Sequence, residues 1–385
     1  MLIVNGTVHP IDAPDIPNGF VDVREGKIWR VGFMEQCPSD WEGEVLDANQ
    51  GHILPGFIDA HCHLGMFGDS LGFEGDDGNE ETDPVTPHLR AIDGVNPFDR
   101  SFAEALSYGV TTVVTGPGSS NPISGQFCAL KTCGKRVDKM IVRAPLAIKM
   151  AMGENPKNCY HEKDGGPATR MAVAALIREQ LAKAQKYAKQ LAEAAKDDEL
   201  DEPEYDAKCE ALLPLLDHRI KAHIHAHRAD DIFTAIRIAD EFGFGYVIVH
   251  GTEGHLVADE LAEEQAPVIV GPLIGARTKP ELSNASASGP GILRAAGVQV
   301  AICTDHPEVP EHYLLMSARL AVEHGMEPQA ALRAITIEAA KICEISDRVG
   351  SIEAGKDADI LLFDREPLEC CGRPSAVILN GKKVR

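Results

Sequence analysis

The sequence predicts an α/β protein, a TIM-like (β/α)8 barrel that carries a small β-sandwich domain formed by both chain ends. Three observations predict this fold. Short apolar runs alternate with helical stretches through the middle of the chain. Both ends instead show short β-like segments broken by Gly, Asn and Pro. A length of 385 residues suits one large barrel with a small second domain.

The two chain ends predict the small domain. LIVNGTVHP and GFVDVREGKIWRVG, near the start, have the pattern of antiparallel hairpins. The same pattern returns in SIEAGKDADILLFD and SAVILNGKKVR near the other end. We therefore expect residues 1–52 and 345–385 to meet in one composite domain.

The middle of the chain, residues 53–344, predicts the barrel. Strands joined by helices indicate a parallel sheet. The candidate strands lie at 53–61, 110–116, 140–150, 220–227, 246–250, 267–271 and 298–305, with 126–132 the best candidate for the third strand. Residues about 166–217 hold an Ala-, Lys- and Gln-rich stretch, an acidic turn and a second helical stretch, which predict an inserted helical hairpin.

Charge and cysteine content limit the partners and the compartment. A net charge of −22 repels phosphate backbones and anionic lipid, so we expect neither nucleic acid nor a membrane as partner. The N-terminus has no basic segment followed by an apolar one, and no apolar run approaches the length of a membrane span. Ten scattered cysteines without disulfide spacing indicate reduced thiols and a cytoplasmic location.

Histidines close several of the candidate strands. His61 and His63 end the first one, and residues i and i+2 of a strand face the same side, so both imidazoles project together. By the same argument His223, His225 and His227 share one face of KAHIHAH. Three buried histidines without partners would be costly. We expect one ligand, one residue near the substrate and one deeper residue, with His225 as the ligand and His227 as the alternative.

Two further polar residues follow apolar strands. His250 closes YVIVH, and Asp305 closes VQVAICTD. A carboxylate at the mouth of an apolar strand must be hydrogen-bonded, paired or metal-bound. Because the carboxyl ends of barrel strands meet at one face, these side chains and the earlier histidines would converge on one or two divalent ions.

These motifs resemble the amidohydrolase superfamily of metal-dependent hydrolases. LPGFIDAHCHLG resembles its first-strand signature and GVTTV its second strand. The order His225, His250, Asp305 matches its fifth, sixth and eighth strands. AITIEAAKICEISDRVGSIEAGKDADILLFD is similar to its closing pattern. Within the superfamily the chain most resembles imidazolonepropionase-related and dipeptidase-like members.

The fourth strand separates the metal sites of the superfamily. In PLAIKMAMGENP, Lys149 is similar to members whose lysine is carboxylated and bridges two metals. Glu154 could instead be the acidic ligand, or a mononuclear site could use neither. The resemblance thus implies one or two divalent ions, zinc first. The implied ligands are His61, His63, Lys149, His225, His250 and Asp305.

The resemblance also implies a reaction. A metal-bound hydroxide would hydrolyse a C–N bond of a small amide, cyclic amide or dipeptide-like substrate. Asp305 would take the proton of the water, while His250 or His227 would help to polarise the carbonyl. The alternatives are a deaminase on the same scaffold and a non-catalytic barrel protein.

Long polar loops after the strands predict the substrate pocket. They lie at 117–125, 153–167 and 272–291. Arg277 and Arg228 could pair with a substrate carboxylate because the guanidinium fork matches it. The two-domain form resembles families that are usually oligomeric, so we expect a homo-oligomer acting on a small molecule.

Overall fold

The computed structural model describes residues 1–69, 71–163 and 166–385. Its strands form two eight-stranded sheets. The strands are β1 (Leu2–Val8), β2 (Ile16–Arg24), β3 (Lys27–Phe33), β4 (Val45–Asp47), β5 (His52–Pro55), β6 (Phe57–Cys62), β7 (Val110–Thr115), β8 (Ile123–Lys131), β9 (Ile141–Ala151), β10 (Lys221–Ala226), β11 (Tyr246–His250), β12 (Val268–Val270), β13 (Val300–Ile302), β14 (Ile360–Phe363), β15 (Ala376–Leu379) and β16 (Lys382–Lys383). The helices are α1 (Ala91–Gly94), α2 (Arg100–Ser107), α3 (Glu154–Tyr160), α4 (Arg170–Ala194), α5 (Ala207–Leu216), α6 (Ala229–Phe242), α7 (Ala258–Glu263), α8 (Gly289–Ala295), α9 (Leu314–Glu323), α10 (Pro328–Ala334), α11 (Ile337–Ile342) and α12 (Pro367–Cys370).

Strands from both chain ends form the first sheet, here called the terminal sheet. Its order is β16-β15-β14-β5-β1-β2-β3, and β4 pairs with β1. Inward-facing apolar residues of the N-terminal strands, such as Ile3, Val21 and Ile28, pack with Ile360 and Ile378 from the other end of the chain. The expected second sheet domain built from both termini is therefore present.

The strand expected over residues 53–61 is two strands. β5 pairs with β1 and β14 in the terminal sheet, whereas β6 pairs with β7 in the barrel. Gly56 lies between them, where a Cβ would come within 2.0 Å of the Thr111 hydroxyl oxygen. The apolar run continues through this turn, which is why the sequence indicated one strand. The division of the chain into 1–52 with 345–385 and 53–344 stays a prediction.

The second sheet is the barrel, with β6 to β13 as neighbours in chain order. Seven of its strands are parallel, but β8 runs antiparallel to both β7 and β9. The expectation of a parallel sheet is wrong at this strand, although a strand does lie at the predicted position near 126–132. Residues 116–122 alone join β7 to β8. This link is shorter than the crossover of about a dozen residues that a parallel connection needs.

Backbone hydrogen bonds join the end of β6 and the segment after it to the segment that follows β13, and so bring the two edges of the barrel sheet together. The N–H of His63 donates to the carbonyl of His306 over 2.8 Å, and the N–H of Asp305 donates to the carbonyl of His61 over 3.2 Å. These bonds place the carboxylate of Asp305 beside the first two histidines. Two predicted ligand positions, 244 residues apart in the chain, become neighbours in this way.

The predicted helical hairpin contains α4 and α5, which connect β9 to β10. Val173, Ile177 and Leu181 on one side of α4 pack with Leu212 and Leu215 of α5 in a core that also includes barrel residues. The amphipathic pattern thus buries one face against the barrel and leaves the other to water. In the part of the chain that the structure describes, no helix combines the length and the apolar character needed to cross a membrane.

A buried charge network joins the barrel to the terminal sheet. The ammonium of Lys131, at the end of β8, contacts the carboxylates of Asp357 and Asp359. Asp357 also pairs with Lys27 over 2.6 Å and with Arg348 over 2.9 Å. Because neighbouring cations outweigh the effect of burial, the pKa of Asp357 lies below its usual value. The network therefore fixes β8 against the segment that precedes β14.

Candidate metal centre

The candidate site lies at the carboxyl ends of the barrel strands. His61 is the second-last residue of β6, is fully buried and points into the barrel. Cys62, the last residue, points into the outer core. His63 follows the strand and is also buried. The period of two therefore places both imidazoles at the barrel mouth, as the sequence predicts.

Backbone carbonyls determine the tautomers of two site histidines. Nδ1 of His63 lies 2.7 Å from the carbonyl oxygen of Gly116, and Nδ1 of His250 lies 2.7 Å from that of Gly271. A carbonyl oxygen only accepts, so both Nδ1 atoms carry the proton and both Nε2 atoms carry a free lone pair. Such an outer hydrogen bond is the usual support of a histidine that binds a metal.

Asp305 lies where these lone pairs meet. Its Oδ1 is 3.3 Å from Nε2 of His63 and 3.5 Å from Nε2 of His61. Asp305 and His250 both have positive φ, at 57° and 73°, which turns each side chain back over the mouth at a cost in backbone strain. Burial would raise the pKa of Asp305, but electrostatic interactions with His250, His63 and Lys149 lower it below its usual value. The carboxylate is therefore ionised near neutral pH.

The fourth barrel strand contributes Lys149, which is fully buried. Its Nζ lies 3.0 Å from Nε2 of His61 and 5.4 Å from the ring centre of Phe127. No carboxylate of the described residues is in ion-pair contact with it, although the charge of Asp305 acts on it. Burial lowers the pKa of Lys149 to about 8, so an appreciable fraction of the amine is neutral at physiological pH.

The three histidines of β10 differ in depth and contacts. Neither ring nitrogen of His225 has a hydrogen-bond partner, although the side chain is buried. His227 lies nearer the opening, with Nδ1 2.7 Å from Oγ1 of Thr252. His223 lies deepest, beside Phe127, and burial lowers its pKa to about 3.

Two groups of ligand atoms meet at this mouth. His225, His227 and His250 form one, and His61, His250 and Asp305 form the other, with the atoms of each group within 4.8 Å of one another. His250 is common to both. Burial holds the pKa of His61, His225 and His227 well below the usual value and that of His250 at about 4, so the imidazoles are neutral and able to bind a cation.

Glu281 is a buried site residue that the sequence did not indicate. It follows β12 in a short 3-10 helix, and only 1% of its surface is exposed. Its Oε1 lies 2.8 Å from the ammonium of Lys279, 3.5 Å from Nε2 of His227 and 3.8 Å from Nε2 of His225. Because it comes from a loop without strand periodicity, no local signal separates it from a solvent-exposed glutamate.

A second missed residue, Asp59, lies within β6 itself. Asp59 accepts hydrogen bonds from the N–H of His61 and from both the N–H and the hydroxyl of Thr304. Burial raises the pKa of Asp59 to about 6, and burial together with Asp59 raises the pKa of Glu311 well above its usual value. Asp59 therefore holds the backbone of both segments that carry candidate ligands. The sequence does contain an indication of this role, because an aspartate inside the apolar run GFIDA needs hydrogen-bond partners when it is buried.

The remaining candidates belong to neither ligand group. Glu154 begins α3, where its carboxylate accepts from Asn158 over 3.3 Å, and it belongs to neither ligand group. Arg228 pairs with Asp230 over 2.9 Å and is half exposed. Arg277 donates to the carbonyl of Ala285 and lines the cavity described next.

A cavity of about 900 Å³ opens above the ligands. Its walls come from the three predicted loops, including Ser119 and Ser120 of 117–125, Asn155 of 153–167, and Lys279 of 272–291. Residues 164 and 165 of the second loop lie outside the described residues. His63, His225, His227 and Asp305 form the floor. The ligands thus face a space of the size that small molecules occupy.

Comparison with known proteins decides the family. The sequence profile of the Amidohydrolase family matches residues 52–384. The chain belongs to the amidohydrolase family. A crystal structure of an amidohydrolase from Thermotoga maritima superposes with a TM-score of 0.95 at 41% identity, covering 100% of this chain and 99% of that one.

Curated amidohydrolase relatives carry several names. The amidohydrolase tasK of Hapsidospora irregularis is 27% identical over 363 residues, 88% of this chain and 37% of that protein. An adenine deaminase of Listeria monocytogenes is 23% identical over all of this chain and 57% of its own length. An imidazolonepropionase of a Geobacillus species is 26% identical over 91% of this chain and 84% of its own. The chain thus spans between about a third and three fifths of the first two relatives.

Proposed function

We propose that this family member is a metal-dependent hydrolase that cleaves a C–N bond in a small amide, cyclic amide or dipeptide-like substrate. The observation that carries the proposal is the convergence of proton-free imidazole nitrogens on a partly buried carboxylate, that of Asp305, at the floor of a cavity. His63 and His250 have their Nε2 atoms free because backbone carbonyls hold Nδ1. These atoms and Oδ1 of Asp305 all need a positive partner.

The residues fit divalent ions. Both nitrogens of His225 and Nδ1 of His61 are buried without a hydrogen bond, a state that is costly unless something binds there. We assign His61, His63, His225, His250, Asp305 and Lys149 as ligands. When bound, the ions would activate water and polarise the substrate carbonyl.

We propose that Lys149 is carboxylated and that two ions share the site. Its amine is buried against His61, and no acid of the described residues is in contact with it, so the ammonium form lacks there the partner that a buried charge requires. A neutral amine that adds carbon dioxide and loses a proton becomes an anionic carbamate, whose two oxygens would serve as ligands for the cations. Glu154 is engaged within α3, which does not favour it as the alternative ligand.

We assign His225 rather than His227 as the β10 ligand. Both nitrogens of His225 are buried without a hydrogen bond to any described residue, whereas Nε2 of His227 faces the carboxylate of Glu281 at 3.5 Å. His227 also lines the cavity, where an N–H can donate to the oxyanion that forms on the substrate carbonyl. His250, close to both residues, would add positive character at the same place.

Asp305 has the position of the general base. It is ionised, borders the cavity and lies beside the ligand nitrogens. It would orient the attacking water, accept its proton, and donate that proton to the nitrogen of the breaking C–N bond. The water oxygen ends on the carbonyl carbon, and the amine leaves neutral. Arg277, on the cavity wall, would hold a substrate carboxylate.

Deamination is the second candidate, favoured by the likeness to the Listeria protein named adenine deaminase. The same groups would then direct water to a ring carbon that carries an amino group. Release of ammonia from an aminated ring would distinguish this reaction from cleavage of an amide.

Several finer properties complete the proposal. We propose zinc as the resident metal because imidazole and carboxylate ligands suit it. All ten cysteines are free thiols, which supports a reducing, cytoplasmic location. We propose a small-molecule substrate without nucleic-acid or membrane partners, and a homo-oligomer. Trp29 and Phe33, exposed by 62% and 48% on the edge strand β3, are candidates for the contact between subunits.

The experiment is a substrate screen with three proteins. Dipeptides, N-acyl amino acids, cyclic amides and aminated rings are incubated with wild type, Asp305→Asn and Asp230→Asn, the last a matched control at the exposed pair with Arg228. We expect one amide class to be cleaved by wild type and by Asp230→Asn, with a loss of about 10²-fold to 10⁴-fold for Asp305→Asn. Full activity of Asp305→Asn would refute the assigned base. Ammonia release from rings alone would favour the second candidate.

A further inference from the structure

A second cluster of ligand-type side chains lies on the terminal sheet, away from the barrel mouth. His9 follows β1, His52 begins β5, and Glu366 immediately precedes α12. One ligand atom from each lies within 4.8 Å of those of the other two. The cluster joins the two ends of the chain, because β5 pairs with both β1 and β14.

The two imidazoles face each other. Nε2 of His9 lies 2.9 Å from Nδ1 of His52, and the ring planes differ by 14°. Oε2 of Glu366 lies 3.7 Å from the same Nδ1. A single proton lies between the two nitrogens, with a carboxylate beside it. Two nitrogens bound to one zinc ion at about 2.0–2.1 Å would lie roughly 3.3 Å apart, so a small ring rotation would admit an ion.

Asp15 orients the first histidine for this role. Its Oδ2 lies 3.0 Å from Nδ1 of His9. The carboxylate accepts the Nδ1 proton, which leaves Nε2 of His9 with its lone pair directed at His52 and Glu366. A carboxylate on the outer nitrogen is the usual support of a histidine that binds a metal.

The cluster is open enough for an ion to enter. The exposed fraction of the side chain is 13% for His9, 25% for His52 and 35% for Glu366. Water can therefore complete the coordination from the solvent side. A purely structural ion pair would need only one histidine, whereas two imidazoles and a carboxylate converging on one point match a transition-metal site.

We propose that His9, His52 and Glu366 form a separate divalent-metal site, for zinc or a similar transition ion, that ties the N-terminal strands to the C-terminal segment. Binding requires His52 to carry its proton on Nε2 instead of Nδ1, so that the lone pair of Nδ1 faces the ion and both imidazoles stay neutral. Asp15 acts on His9 as a positioning residue. The site is remote in function from the barrel and does not depend on what the barrel hydrolyses.

The test counts ions in the holoenzyme. Protein with its barrel ions in place is dialysed against micromolar Zn²⁺, and bound metal per chain is measured by elemental analysis for wild type, His52→Gln and Glu366→Gln. His324→Gln, which removes an exposed histidine elsewhere, is the control. We expect wild type and His324→Gln to hold about one more ion per chain than the other two variants. Catalytic rates should be the same in all four.

Co²⁺ provides a second readout that does not depend on the total count. When Co²⁺ is added to protein whose barrel already holds Zn²⁺, wild type should gain visible absorption that His52→Gln and Glu366→Gln do not gain. Equal counts and equal spectra in all proteins would overturn the proposal and leave a hydrogen-bonded histidine pair. Equal loss in His324→Gln would also overturn it, as adventitious surface binding. Because the comparison is between variants with intact barrels, an inactive barrel would not change its outcome.

Discussion

The ammonium nitrogen of Lys149 lies 3.0 Å from Nε2 of His61, and both side chains are fully buried. Among the residues that the structure describes no acid contacts this amine, and a buried cation held against a neutral imidazole is an unfavourable arrangement. Conversion of the amine to a carbamate reverses its charge and makes the same position favourable beside two cations. This relationship is the strongest structural reason to assign two ions to the barrel.

Replacement of Lys149 should lower the activity, and added small carboxylic acids should restore part of it. We expect Lys149→Ala to lower kcat by about 10²-fold to 10³-fold because the bridging anion is lost. Acetate or propionate should restore part of the rate by filling the vacated space with a carboxylate. The test is a measurement of steady-state kinetics with and without the added acid. Lys221→Met, on the neighbouring strand, is the control. Unchanged activity of Lys149→Ala would exclude the bridging role.

Glu281 should act through the histidines that it faces. The Glu281→Gln substitution preserves shape but removes the charge beside His225 and His227, so metal affinity or kcat/KM should fall by about 10-fold to 100-fold. Metal titration and kinetics of this variant are compared with Glu104→Gln, an exposed glutamate of α2. If both variants match wild type, Glu281 serves only its ion pair with Lys279.

The charge network between barrel and terminal sheet should contribute to stability. Lys131→Met leaves the carboxylates of Asp357 and Asp359 buried without their shared cation. Breaking such a pair costs about 3–5 kcal/mol in the free energy of unfolding. Urea denaturation measures the free energy of unfolding of this variant and of the control Lys139→Met, at the other end of the same loop. If Lys131→Met loses less free energy of unfolding than Lys139→Met, water takes the place of the Lys131 ammonium beside the two carboxylates.

The stability contributed by Asp206 should depend on pH. This residue caps α5, accepting from the N–H groups of Lys208 and Cys209. Its hydrogen bond to Lys183 outweighs burial and lowers the pKa of Asp206 to about 2. A lowered folded-state pKa gives stability that is complete above the unfolded value near 3.8 and is lost as the pH falls towards 2.

Asp206→Ala should therefore cost about 0.5–2 kcal/mol between pH 7 and pH 5 and progressively less below pH 4. Urea denaturation in the presence of a chelator at pH 7, 5 and 3 measures this difference without a contribution from metal. A cost that stays constant down to pH 3 would show that the charge of Asp206 is not involved.

Periodicity and strand ends explain why part of the site was predictable. His61, His63, His250 and Asp305 each close an apolar run, and the carboxyl ends of barrel strands share one face, so their convergence follows from sequence alone. Glu281 could not be found in this way because it arises from a long loop that only the folded barrel brings to His227. The pair of His9 and His52 depends on strand pairing in the same way.

Strand direction and the junction of the two sheets were the main failures in predicting the fold. Alternation of side chains is the same in parallel and antiparallel strands, so the pattern near 126–132 indicated a strand but not that β8 is reversed. The turn at Gly56 was hidden because apolar residues continue on both sides of it. In both cases the deciding contacts are between distant segments.

The most direct test of the account is the number of ions that the barrel holds. Elemental analysis is made on protein reconstituted with Zn²⁺ and bicarbonate, in the His52→Gln background so that the terminal sheet contributes no ion. We predict about two ions per chain. His250 is common to both ligand groups. The variant His250→Ala should therefore hold fewer than about one ion per chain. Failure of the barrel to hold any ion, or retention of both ions in His250→Ala, would contradict the account.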